Sequence, residues 1–328
     1  VFFPRGALLA LMVLSNLAGA GAQVAVLRYS HMNPSDSIAG RQAAFFARKV
    51  DEYTRGAVRI ELHPASALGT LTEQLKQTAA GVTAIHHNTA AAFGTIAPDV
   101  AVLDTPYVYR DVDHLLKVVA PGSPVMRRLD GELQRSGLKL LYTFYFGTRE
   151  LTCDRPVLRP EDLAGVKIRA IPFPMYQAAV EGLGAVPVPI DWADTPTALA
   201  ARAVAGQENP VNTILTSRLY DSQKYLMLTG HIRGAELVVV NDALWRKLPR
   251  SAQAQIERAA REASEYGTRL MVEEEQRDLA DLKARGMIVI GERDGLELGS
   301  FRARTRKIVQ ERFSARWNEY YRMIDAIK

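Results

Sequence analysis

The stretch 251–285, SAQAQIERAAREASEYGTRLMVEEEQRDLADLKAR, decides how this chain is organised. Ile256, Ala259, Ala263, Tyr266 and Leu270 recur at helical spacing along it, and Gly286 ends the run. At 1.5 Å per residue an unbroken helix of this length spans about 52 Å. A lobe of about 150 residues is only on the order of 40 Å across. The helix therefore kinks or bridges two lobes, and a chain of 328 residues has room for two.

The rest of the chain supplies the layers around that helix. After Ser37, the residues Ala39, Ala43, Phe46, Val50 and Tyr53 mark one helical face, with Gly56 as a C-terminal cap. Val58, Ile60 and Leu62 then alternate with Arg59 and Glu61 as in a strand, and a second helix is expected over Leu71 to Ala80. Similar units recur further on. Leu140 to Phe146, Val166 to Ile171 and Glu236 to Val240 read as strands, and Met175 to Glu181 and Thr195 to Val204 as short helices. Strand, helix, strand in this order implies an α/β fold with right-handed crossovers and a largely parallel sheet. The chain shows no tandem repeat and no low-complexity linker, so it is expected to cross between the lobes more than once.

Composition narrows the class. Apolar residues make up 48% and charged residues 23%, which suits a globular protein with a sizeable core. With 41 Lys+Arg against 36 Asp+Glu, the excess of +5 is too mild to name a partner. A lone Cys153 excludes an internal disulfide. The beginning, Val1-Phe2-Phe3-Pro4-Arg5, an apolar run from Gly6 to Leu14 and small residues ending Ala20-Gly21-Ala22, reads as a secretory signal peptide over 1–22, cut before Gln23. An exported chain is expected.

Catalytic and cofactor signatures do not occur. There is no Walker A loop, no H-E-x-x-H, no G-x-S-x-G and no cysteine pair. Gly182-Leu183-Gly184 follows a helix, where a dinucleotide loop must follow a strand, and reads as a helix C-cap. His86 and His87 are strand neighbours pointing to opposite faces, so they cannot chelate one metal. No metal and no cofactor is expected. The basic run Arg302, Arg304, Arg306, Lys307, Arg312 and Arg316 is interrupted by Glu311 and has no aromatic platform, so it reads as a solvated helix face and not as a nucleic-acid site.

The region 147–210 carries the chemistry. Arg149 follows a strand rich in aromatics, and Arg169 lies in a strand whose alternate positions Val166, Ile168 and Ala170 are apolar. Such an arginine can face the crevice where open α/β sheets bind ligands. Two guanidinium forks can hold one carboxylate. On the residues alone, two surface or ion-paired arginines are the plainer reading. Gly206-Gln207-Glu208-Asn209-Pro210 reads locally as a helix start, with Asn209 as N-cap and Pro210 at the first helical position.

Leu163-Ala164-Gly165-Val166-Lys167-Ile168-Arg169, Gly182-Leu183-Gly184-Ala185-Val186-Pro187-Val188-Pro189 and Gly206-Gln207-Glu208-Asn209-Pro210 resemble the extracytoplasmic solute-binding proteins of tripartite ATP-independent periplasmic (TRAP) transporters. His63 to Gly69, Leu103 to Tyr107 and Ser222 to Leu226 extend the resemblance over nearly the whole chain. It implies a two-lobed periplasmic binding protein that closes on a small organic acid in the periplasm and delivers it to a membrane permease. Lobe I would comprise 23–146 plus 235–274, and lobe II 147–234 plus 275–328. Arg169 would pair with the ligand carboxylate, assisted by Arg149 and Asn209. Trp192, which by itself reads as core, would be a pocket wall.

Departures from the family pattern bear on the ligand. Leu71 and Thr89 stand where sialic-acid receptors carry groups for sugar hydroxyls, which disfavours sialic acid. His87 and Thr89 share a strand face and, with Met32, are candidates for the specificity wall. Two other classes share part of this description, an exported enzyme acting on organic acids and a receptor feeding a sensor kinase.

Overall fold

The computed structural model describes residues 24–328; the expected signal peptide lies outside the described residues. The first half of the chain runs β1 (Ala25–Ser30), α1 (Ile38–Thr54), β2 (Val58–His63), α2 (Leu71–Ala79), β3 (Ile85–Thr89), α3 (Ala90–Phe93), α4 (Val112–Val119), α5 (Pro124–Arg135), β4 (Leu138–Cys153) and β5 (Lys167–Ala170). It continues through α6 (Pro174–Gly182), β6 (Val186–Pro189), α7 (Thr195–Ala200), β7 (Gly206–Pro210), α8 (Val211–Thr216), β8 (Tyr225–Asn241), α9 (Asp242–Lys247), α10 (Arg250–Ala284), β9 (Ile288–Ile290) and α11 (Leu298–Asp325).

Local chemistry accounts for the element ends near the site. The Ser37 hydroxyl accepts from Gly40 N at 3.0 Å and opens α1. Thr70 and Glu73 form a reciprocal capping box at α2. Among the described residues no helix is long and apolar enough to cross a membrane.

The strands form one sheet in the order β2-β1-β3-β8-β4-β7-β5-β6, with β9 added on β8. The outer pairs are parallel, as crossover connections require, but β8 pairs antiparallel with both β3 and β4, and β4 pairs antiparallel with β7. The expectation of a largely parallel sheet is therefore corrected to a mixed sheet. Its centre is two long strands, β4 and β8, that serve both lobes. Leu138 to Tyr145 pair with the end of β8, and Leu151 to Cys153 with its beginning. Between them the register slips twice, after Tyr145 and after Arg149. Gly147 sits in that crossing with φ +112°, and a Cβ there would meet Pro210 at 2.7 Å, so only glycine fits.

Two lobes follow from two sets of cores. One packs α1, β1, β3 and the first half of β4 around Tyr29, Phe46, Phe144 and Val238. On the other side, Leu151, Ile168, Val180 and Phe301 form one cluster and Leu199, Ile214, Leu226 and Leu282 another. Helix α10 is 35 residues long, as its sequence implies, and bridges both sides. Ile256, Ala259 and Ala263 bury in the first core, and Leu282 buries in the second lobe.

One boundary needs correction. The sequence division places 275–328 wholly in lobe II, yet α11 begins there with Phe301 and ends with Val309, Trp317, Tyr320 and Ile324 in the first core. At 1.5 Å per residue its 28 residues reach about 42 Å, enough to cross back. Its basic residues Arg302, Arg304, Arg306, Lys307, Arg312 and Arg316 are all exposed, as a solvated face should be.

Candidate functional site

Sheet topology brings the ends of β3, β5 and β7 and the crossing of β4 and β8 to one place between the lobes. A cavity of about 40 Å³ lies there, with Arg149, Arg169, Asn209 and Trp192 on its wall. Met32, Thr89 and Leu71 line it as well. The cleft is shut over it by backbone donors of one lobe and side chains of the other. Ile38 N donates to Asn212 Oδ1 at 3.2 Å, and Leu71 N donates to Asp191 Oδ2 at 3.2 Å.

Arg169 and Arg149 are both fully buried, but their situations differ. Arg149 is engaged. Its Nε donates to Glu208 Oε2 at 2.5 Å and its Nη2 donates to Glu208 Oε1 at 2.9 Å and Asn209 Oδ1 at 2.9 Å. Tyr176 from α6 covers the guanidinium, 4.9 Å from its carbon to the ring centroid. Burial alone would raise the Glu208 carboxyl, but Arg149's charge and the bond from His231 Nε2 outweigh it and hold the carboxyl at about 2. This pair is neutral as a unit, and it fulfils the ion-paired reading of Arg149.

Arg169 has no such partner. Its Nε donates to Ile190 O at 2.9 Å, while Nη1 and Nη2 are buried with no hydrogen-bond partner among the described residues. Burial pushes this guanidinium down to about 10, with Arg149 adding to the effect and Glu208 opposing it. The Trp192 ring lies 5.7 Å from its carbon. Trp192 itself is half-buried and packs on cores of both lobes, so it stands at the seam between them.

Asn209 is not an N-cap. Strand pairing continues through Glu150↔Asn209 and Arg149↔Pro210, so β7 extends to Pro210 and α8 begins at Val211. The amide is instead committed to Arg149 and to Gln207 Oε1, which it reaches with Nδ2 at 2.5 Å. One of its two N–H donors remains for the cavity. The strand can lie this close to β4 because residue 206 is glycine; a Cβ there would stand 2.0 Å from Thr152 O.

His87 does not line the cavity, contrary to the sequence expectation. It is fully buried two residues back along β3, where Tyr29 and Phe144 surround it, and of this strand Asn88 and Thr89 reach the cleft. Burial and the neighbouring His31 and His86 push it well below the usual imidazole range. The neutral ring accepts from the Tyr29 hydroxyl at 2.6 Å and donates from Nε2 to Asn33 Oδ1 at 3.0 Å. It thus holds Asn33, which does line the cavity.

Six wall residues escape sequence reasoning: Asn33, Asn88, Phe146, Ile171, Thr213 and Glu236. Glu236 had a signal, a lone acid at the head of the apolar run Leu237 to Val240, but there it reads as the strand's solvent end. Among the described residues no group of three or more His, Cys, Asp or Glu is placed to hold a metal ion.

A family model described as bacterial extracellular solute-binding protein, family 7 (DctP), matches residues 29–316. The chain belongs to the DctP family. The resemblance read from its motifs is thereby borne out. Among DctP-like relatives, the 2,3-diketo-L-gulonate-binding periplasmic protein YiaO of Escherichia coli K12 is 32% identical over 246 residues, 75% of this chain and 74% of that protein. The C4-dicarboxylate-binding periplasmic protein DctP of Rhodobacter capsulatus is 29% identical over 266 residues, 81% and 79% of the two chains. The crystal structure of a TRAP periplasmic solute binding protein from Polaromonas sp. JS666, bound to D-erythronate, superposes with a TM-score of 0.87 at 27% identity, covering 93% of this chain and 99% of that one. Another from Actinobacillus succinogenes 130z, with bound L-galactonate, gives 0.85 at 26% identity, covering 92% and 99%. The two-lobed architecture of this DctP-family chain is that of TRAP solute-binding proteins.

Proposed function

We propose that this chain is the periplasmic receptor of a TRAP transporter, and that it captures a small organic acid by seating the carboxylate on Arg169 and delivers it to the membrane permease. The observation that carries the reading is the Arg169 fork, two buried terminal nitrogens with no partner on the wall of an interlobe cavity. A carboxylate supplies both missing acceptors in one plane and gives Arg169 an ion-pair partner that no carboxylate among the described residues provides. Asn209 adds its free N–H, while Arg149, already paired with Glu208, orients Asn209. Trp192 and Ile171 cover the apolar part of the ligand.

Periplasmic location is supported by the relatives' names and by the leader-like beginning of the chain. Relatives with bound D-erythronate and L-galactonate support an organic acid as ligand. Release of the acid unchanged is expected of a receptor, and mass spectrometry of the recovered ligand tests it.

The deciding experiment is a thermal-shift screen of a carboxylate library, with neutral sugars as controls. A ligand at about 100 times its Kd stabilises the protein by about 2.7 kcal/mol. Arg169→Lys keeps the charge but loses the planar two-pronged contact, so the shift should vanish or shrink sharply. A shift that persists in Arg169→Lys, or one given by neutral sugars alone, overturns the assignment.

A further inference from the structure

Strand pairing breaks down at one point in the crossing of β4 and β8. Arg149 pairs with Ile232 and Leu151 with Met227, so Glu150 alone stands opposite four residues of β8, 228–231. A bulge of this kind takes backbone groups out of the ladder and re-aims side chains beside a site. Where those groups are buried they need other partners.

Two residues that do not line the cavity provide them. Tyr107, from the segment between α3 and α4, donates its hydroxyl to Thr229 O at 3.1 Å and its backbone N–H to His231 O at 2.9 Å. Glu150 Oε2 accepts from Gly230 N at 2.6 Å. Both side chains are buried. Tyr107 has φ +56°, an unfavourable conformation for an aromatic residue that persists only where the surroundings hold it. Here its N–H and its hydroxyl both grip the bulge.

The bulge delivers His231 to the ion pair beside the cavity. His231 is fully buried, its Nε2 donates to Glu208 Oε2 at 3.1 Å, and Thr229 Oγ1, also in the bulge, lies 2.8 Å from its Nδ1. Glu208 takes Arg149 with both oxygens, and Arg149 Nη2 donates to Asn209 Oδ1. The order of contact is therefore Tyr107 and Glu150, then His231, Glu208, Arg149 and Asn209, and of these only Arg149 and Asn209 line the cavity.

We propose that Tyr107 and Glu150 are positioning residues for the carboxylate seat. They hold the bulge so that His231 fixes Glu208, and Glu208 fixes Arg149 and, through it, the Asn209 amide. This rests on the carboxylate reading of Arg169. Burial, opposed by the Gly230 N–H, pushes the Glu150 carboxyl up to about 8, so at neutral pH it holds that N–H as an uncharged acceptor. Glutamine offers the same acceptor in the same shape.

Calorimetric titration of the signal-free chain with D-erythronate and with succinate tests the proposal. Tyr107→Phe, which loses only the hydroxyl, and Glu150→Leu should each weaken binding by about threefold to tenfold, while Glu150→Gln should stay within about twofold of the unmodified chain. Neither Tyr107→Phe nor Glu150→Leu should weaken binding further once His231→Leu has broken the connection, because the three residues act in one line. The nitrogen-15 NMR signals of the His231 ring give a second readout without any ligand. They should shift in Tyr107→Phe and Glu150→Leu and hold in Glu150→Gln, which also provides a test should His231→Leu not fold. Unchanged affinity in Tyr107→Phe and Glu150→Leu, losses that add in full to that of His231→Leu, or a His231 ring unmoved by every variant overturns the positioning role and leaves the Arg169 reading standing. If neither acid binds the unmodified chain, the Arg169 reading fails for both and this inference with it.

Discussion

Arg149 and Glu208 form a two-pronged ion pair with both side chains at or below 1% exposure. The pair comes from the pairing of β4 with β7, which sets Leu151 opposite Glu208 and leaves Arg149 within reach. Taking two charges out of water costs several kcal/mol each, and the mutual attraction compensates only while both are present.

Removing one partner should therefore cost more than removing both. Arg149→Met is expected to destabilise the protein by about 3–5 kcal/mol, because Glu208 is left buried with only His231 beside it. The double variant Arg149→Met, Glu208→Leu should recover a large part of that loss. Urea denaturation of the three proteins checks this, and additive losses would show that the pair is not coupled.

Stability should fall on both sides of mildly acidic pH. Glu208, held at about 2 in the folded chain, contributes stability that is present above the ordinary carboxylate range and is lost as pH falls through that range toward 2. Burial does the opposite to Asp104, pushed up to about 7, and to Glu150 and Glu236, pushed up to about 8. Their contribution is full below the ordinary range and is lost as pH rises to about 8. Melting temperatures of the ligand-free protein, measured from about pH 3 to about pH 9, should peak on the acid side of neutrality. Glu236→Gln should flatten the alkaline arm; an alkaline arm of unchanged slope would remove Glu236 from this account.

Trp192 should report binding and contribute to it. The other two tryptophans, Trp245 and Trp317, bury in the first core, whereas Trp192 stands over Arg169 at the cavity. A ligand-dependent change in fluorescence is expected in the unmodified chain and should disappear in Trp192→Phe. Affinity in Trp192→Ala should fall by roughly threefold to thirtyfold, the range of a partly desolvated cation–π contact.

Closure should be adjustable without touching the ligand. Asp191 accepts from Leu71 N across the cleft, so Asp191→Ala removes a bond made only when the lobes meet. Affinity should weaken by a few fold, mainly through faster dissociation, because the closed population falls. Stopped-flow kinetics distinguishes this from a slower association.

Some of this was open to reading along the chain and some was not. The periodicity predicts helix α10 over Ser251 to Arg285 and the helix spans Arg250–Ala284, because a one-faced apolar stripe is a local property. The alternation of strand β8 shows only at Glu236 to Val240, yet the strand starts at Tyr225. Its first part contains Thr229, Gly230, His231 and Arg233, which hide the alternation, and the pairing with β4 holds it extended regardless. Helix α11 carries its buried residues thinly among charges, so it reads as a basic face before it reads as a bridge. At the site, the sequence and its family resemblance point to both arginines, Asn209, Trp192, Thr89 and Met32, all of which line the cavity. His87 was misplaced because alternation tells which face a strand residue takes but not how far along the strand the cleft lies.

The sequence by itself determined the periodic elements, the bridging helix and the pair of arginines offered to an anion, since each depends on residue type and local spacing. Only the tertiary structure decided which arginine is free. Glu208 lies 59 positions from Arg149 along the chain, and strand pairing brings it onto that arginine and not onto Arg169. The charge left over in the cleft is thus a product of sheet order, and no window of sequence contains it.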